Sequence, residues 1–112
     1  MMACAGKRFA LILVLALWFA GTAAAHKVNL FAYAEGGRVY TESYFPDGRA
    51  VEGGKVSVYD SHKRLLIEGT TDKEGLFSFK IPAIDDLTIV LDATMGHKAS
   101  FTLKKTEVEA GK

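Results

Sequence analysis

The sequence predicts an all-β fold, a seven-stranded antiparallel sandwich, behind an N-terminal leader. Three observations predict it. Apolar and polar residues alternate in short runs separated by glycine-bearing turns. No stretch sustains a helical period. The 49% apolar content of the 112 residues is also skewed towards the first 25, so the leader must be set aside before the domain is read. With 14 basic against 13 acidic residues the net charge is +1, and nothing electrostatic points to nucleic acid as a partner.

Lys7 and Arg8 form a basic segment, residues 9–20 (FALILVLALWFA) an apolar run, and residues 21–25 (GTAAA) a small-residue site. This is the pattern of a secretory signal peptide over residues 1–25. An uncleaved anchor is the alternative, since residues 9–25 reach the short limit for spanning a bilayer. Cys4 precedes the apolar run, whereas a lipoprotein cysteine would follow it. Cleavage after Ala25 leaves His26–Lys112 with 12 basic and 13 acidic residues, a net charge of −1. Cys4 and Trp18 leave with the leader, so the domain has neither disulfide nor thiolate chemistry. A domain this small then depends on a compact apolar core.

Residues 28–34 read as the first strand, and Gly36-Gly37 turns tightly into a second over 38–44, a hairpin signature. Pro46-Asp47-Gly48 and Gly53-Gly54 are turns, with residues 49–52 as connecting chain. Val56 and Val58 share a face of the third strand, residues 55–60. After a polar turn, residues 65–69 form the fourth. Phe77, Phe79 and Ile81 give the cleanest alternation, in the fifth strand, which Pro82 ends because it cannot donate to a ladder. Leu87, Ile89 and Leu91 face inward from the sixth, and Phe101 and Leu103 from the seventh. The sandwich domain is set at residues 26–104, and residues 105–112 are expected to be a frayed, charged tail.

Few residues carry chemistry. The glycines form no phosphate-binding loop, and no histidine and acid are arranged around a serine or threonine. No enzymatic activity is expected. Asp85-Asp86 reads as a solvated turn. Asp72-Lys73-Glu74-Gly75 lacks the carboxylate spacing of an EF-hand and reads as a plain turn. Of three histidines, His62 lies in a polar turn. His26 stands at or beside the processed N-terminus, where an α-amine titrating at about 7.7–8.0 yields its proton readily to a transition metal. Cleavage after Ala25 pairs that amine with the His26 ring. Cleavage after Ala23 instead makes Ala-Ala-His, a square-planar nitrogen set suited to Ni(II) or Cu(II). His97 sits in the turn Met95-Gly96-His97, and spacing alone does not make it a ligand.

Three segments together suggest more. Residues 26–32 (HKVNLFA), residues 39–48 (VYTESYFPDG) and residues 92–98 (DATMGHK) resemble the extracytoplasmic accessory components of energy-coupling-factor-type nickel and cobalt importers. Residues 53–60 and 71–79 resemble the strand–turn–"T-D-x-x-G-x-F-x-F" pattern of transthyretin-like, carboxypeptidase-regulatory-like sandwiches, which implies Greek-key connectivity. The resemblance covers residues 26–103. It implies an exported protein in the periplasm or on the outer face of the cytoplasmic membrane, assisting Ni2+ or Co2+ uptake. Its partners would be the transporter's membrane components, its metal candidates His26 and His97, and it would need no organic cofactor. Two other readings compete. One is a copper-binding protein using His26, Met95 and His97, since a thioether favours Cu(I). The other is a metal-free interaction module.

Overall fold

The computed structural model describes residues 27–112. The expected leader over residues 1–25, its cleavage site and His26 lie outside the described residues. Seven strands follow one another: β1 (Asn29–Glu35), β2 (Arg38–Tyr44), β3 (Lys55–Tyr59), β4 (Leu65–Thr70), β5 (Leu76–Lys80), β6 (Leu87–Asp92) and β7 (Lys98–Leu103). One short helix, α1 (Lys105–Ala110), ends the chain. The strands make two antiparallel sheets in the orders β1-β2-β5 and β4-β3-β6-β7. The expected strands match these to within a residue or two at each end.

Alternation decides which side chains meet between the sheets. Val39 from one sheet and Val56, Val58, Leu87, Ile89, Leu91 and Leu103 from the other are fully buried. Phe79 joins them, while Phe77, Ile81 and Phe101 pack against this cluster half-buried. The Phe77 ring lies over Gly69, where any Cβ would collide with it. Glycine at 69 therefore lets the β5 edge close on β4.

The segment expected to be mere connection after β2 is instead pinned. Val51 is fully buried. The Thr71 hydroxyl donates to Val51 O (2.5 Å) and accepts from Gly54 N (2.8 Å). Ser43, also buried, donates both its amide and its hydroxyl to Gly75 O (3.0 Å each).

The C-terminal residues do not fray. Lys105–Ala110 wind into α1, which places the fully buried Val108 under β1, and Gly111 O accepts from Gly37 N (2.8 Å). Gly111 approaches Ala34 so closely that a Cβ there would strike its backbone. The Asp85-Asp86 pair lies in a half-exposed turn, as expected, and also holds structure together. Asp85 accepts from Ser61 N (3.0 Å) and Ser61 Oγ (2.7 Å), and Asp86 accepts from Lys105 N (2.7 Å) at the start of α1. Such bonds satisfy amides that the turn and the helix start leave without a backbone partner.

Candidate functional site

Antiparallel alternation sends the β2–β3 and β6–β7 connections and the start of β1 to one end of the sandwich. There they border a cleft of about 590 Å³ whose lining includes Lys27, Phe45, Asp47, Arg49, Met95 and His97.

Each wall has a local cause. After β2 the chain folds back on itself, with Phe45 N donating to Arg49 O (2.8 Å) and Gly48 N to Phe45 O (2.9 Å). Asp47 closes this turn by accepting from Arg49 N (3.0 Å) and Arg49 Nε (2.7 Å). The Arg49 amide, and then its guanidinium, hold the Asp47 carboxyl below its usual range. The Arg49 guanidinium also rests 5.1 Å over the Phe45 ring. That ring meets His97 edge-on, with centroids 5.9 Å apart and planes at 80°. Phe45 thus orders both a cation and an imidazole along one wall.

His97 is placed by the β6–β7 hairpin. His97 N donates to Thr94 O (3.1 Å), and Ala93 N donates to His97 O (2.9 Å). Between them Met95 (φ 56°) and Gly96 (φ 80°) both adopt positive φ, the pattern of a type I′ turn. Glycine does so without cost, but methionine does not. Met95 is also 95% exposed, so no packing contact repays the conformation. Unrelieved backbone strain of this kind is concentrated at functional sites.

Of the two sequence-predicted ligands, His97 is half-buried in this cleft and His26 lies outside the described residues. Lys27, bonded to His26, lines the same cleft as His97. Among the described residues no group of three or more His, Cys, Asp or Glu side chains is placed to hold a metal ion. His62, expected to be a plain turn residue, is exposed at the opposite end of the sandwich. Sequence reasoning missed Phe45 and Arg49, which carry no metal-ligating chemistry and enter the cleft only through the fold of their turn. Among the described residues no helix is long and apolar enough to cross a membrane.

Comparison with known proteins identifies no relative: no family model, curated protein or solved structure matches this chain.

Proposed function

We propose that this chain is an exported accessory subunit that assists nickel or cobalt uptake by a membrane transporter. In this reading it binds the ion through its N-terminal histidine, His26, with His97 as a further imidazole. The two-sheet architecture supports a transthyretin-like sandwich as its scaffold. One observation carries the proposal: Lys27 borders the cleft that holds His97. His26 directly precedes Lys27 in the sequence, and that adjacency is what supports pairing it with His97 in this reading.

The chemistry follows from the donor types. A processed N-terminus beginning at His26 offers its amine and ring to one ion, and nitrogen donors suit Ni(II) and Co(II). Both groups bind only when deprotonated, so affinity falls as the pH drops through the imidazole range, near 6.5 in model peptides. The metal here is cargo, and the partner is the membrane part of the transporter.

The test is Ni(II) titration of the correctly processed protein against a form extended by two residues at its N-terminus. The extension and His26→Ala should each lower affinity at least tenfold, and His62→Ala should leave it unchanged. Equal affinity in all four proteins would dispose of the N-terminal site.

One observation favours a second reading, a periplasmic copper-binding protein. The strained and exposed Met95 thioether stands two residues from His97, and sulfur selects Cu(I). Cu(I) affinity that depends on Met95, with no Ni(II) dependence on His26, would favour it.

A further inference from the structure

The two sheets turn very different outer faces to solvent. On β3, β6 and β7 that face presents Ser57, Thr88, Ser100 and Thr102, with Thr88 and Thr102 hydroxyls 3.2 Å apart. Tyr59 and Val90 share that face, so it is a mixed surface of hydroxyls with single apolar residues. On β1 and β2 the equivalent positions include several rings, whereas β5 presents Leu76, Ser78 and Lys80. Register sets Tyr33 opposite Tyr40, and the two rings stack with centroids 5.4 Å apart and planes at 23°. Phe31, half exposed, continues the row from Tyr33 at 6.1 Å.

Beside this pair lies a hollow of about 270 Å³, lined by Tyr33, Tyr40, Glu42, Asp72, Leu76 and Ser78. It falls below the ~300 Å³ at which pockets for drug-sized ligands begin.

Its lining carries carboxylates and no cation, while Arg38 and Lys80 pair in register across β2 and β5 further along the same face. Glu42 and Asp72 contribute two carboxylates, and among the described residues neither forms an ion pair. Glu42 accepts from the Tyr44 hydroxyl (2.8 Å), and Asp72 Oδ1 from Glu74 N (2.8 Å) and Leu76 N (3.0 Å), so both carboxylates are held in place. At the other rim Arg38 donates to Ser78 Oγ (3.1 Å). A positive group entering the hollow is therefore repelled at one rim and attracted at the other.

We infer that the outer face of the three-stranded sheet is a docking surface for a basic polypeptide segment of a partner, with one Arg or Lys side chain seated between the tyrosine pair and the Glu42–Asp72 carboxylates. Aromatic faces attract cations, and tyrosine and arginine recur where protein partners bind most tightly. The inference stands apart from the metal site, which involves neither this sheet face nor these residues.

The test is a set of NMR titrations on 15N-labelled protein recovered from exporting cells. The probe is the peptide Gly-Arg-Gly-Arg-Gly amide. Controls are its glutamate counterpart, tetramethylammonium as a free cation, and a neutral maltohexaose. The arginine peptide should shift the amides of Tyr33, Tyr40, Glu42 and Leu76, less so at high salt, and should do so more strongly than tetramethylammonium. Glu42→Gln and Asp72→Asn each keep one acceptor oxygen, which is all that their present hydrogen bonds use, and remove the charge, so the fold should survive. Each should weaken binding about twofold to fivefold, as should Tyr40→Ala. Shifts of equal size with the glutamate peptide, shifts from maltohexaose in place of the arginine peptide, or unchanged affinity in both charge variants would overturn the inference.

Discussion

The β1–β2 and β6–β7 hairpins share one backbone feature and differ in what surrounds it. Each turns through two adjacent residues of positive φ, in a two-residue loop between β1 and β2 and within the five-residue connection 93–97 between β6 and β7: Gly36 (60°) and Gly37 (82°) in one, Met95 (56°) and Gly96 (80°) in the other. The first lies under the C-terminal end of the chain. Gly37 N donates to Gly111 O, and Gly37 O accepts from Ile81 N (3.0 Å). The second projects Met95 into solvent beside His97. Where the turn serves only the fold, both residues are glycine. Where it borders the cleft, a strained methionine stands in the first place.

The contrast extends to the two ends of the sandwich. At the Gly36-Gly37 end the polar residues hold structure together: Asp60 closes the β3–β4 turn, Asp85 secures Ser61, and Asp86 receives the first amide of α1. The largest effect is expected from breaking that end. Gly111→Leu drives a side chain into the Ala34 backbone, so α1 must leave. The domain then loses the burial of Val108, worth about 1.5–3 kcal/mol, and the bond to Gly37 N, worth about 0.5–1.5 kcal/mol. Urea denaturation should show a loss of about 2–4 kcal/mol, while Ni(II) affinity stays as it was. Unchanged stability would mean that α1 does not seal the core.

How much of this was legible in the sequence varies by element. Strands whose inward residues are bulky and alternate, as Val56/Val58 and Phe77/Phe79 do, were placed almost to the residue. Helix α1 was not. It has six residues, no capping side chain of its own and a single buried anchor, Val108, so it shows no period to detect. Its start is stabilised by Asp86, nineteen positions earlier, a contact no local pattern encodes. Val51 escaped for a similar reason, because the Thr71 hydroxyl that fixes it comes from beyond β4. At the cleft, His97 was legible as a residue type in a turn. Its apposition to Phe45 exists only once β2 and β6 are in place.

A smaller effect should separate the carboxylates of the two ends under acid. Asp60 is held below the ordinary carboxylate range, chiefly by the Arg64 amide and then by its guanidinium and the His62 amide. Asp85 is held low chiefly by the Ser61 hydroxyl and then the Ser61 amide. In the unfolded chain an aspartate titrates near 3.9. With folded values below that, the stabilisation is complete above the unfolded value and disappears as pH falls through the folded ones. Asp60→Asn and Asp85→Asn should therefore flatten the drop in melting temperature between pH 7 and pH 3. Asp47 is also held low, but its side chain is 57% exposed and that of its partner Arg49 is 74% exposed. Exposed pairs contribute little. Asp47→Asn should leave the acid profile close to that of the parent, and a flattening as large as that from Asp60→Asn would erase the difference between the ends.

The smallest effect falls on Met95 itself and is expected to be a gain. A left-handed conformation costs an ordinary side chain roughly 1–2 kcal/mol, and asparagine tolerates it better because its short amide bonds locally. Met95 is almost fully exposed, so Met95→Asn removes strain without removing packing. Thermal denaturation should show a gain of about 0.5–1 kcal/mol. Gly36→Asn, in the other hairpin, replaces a residue that is already unstrained and should show no such gain. The same Met95 variant sorts the metal readings. If nitrogen donors hold the ion, Ni(II) affinity is unchanged and the methionine is a dispensable strain. If Cu(I) affinity instead falls tenfold or more, the thioether is a ligand, and the strained turn is what holds it beside His97. A variant with neither added stability nor altered metal affinity would show that the two hairpins differ in sequence alone.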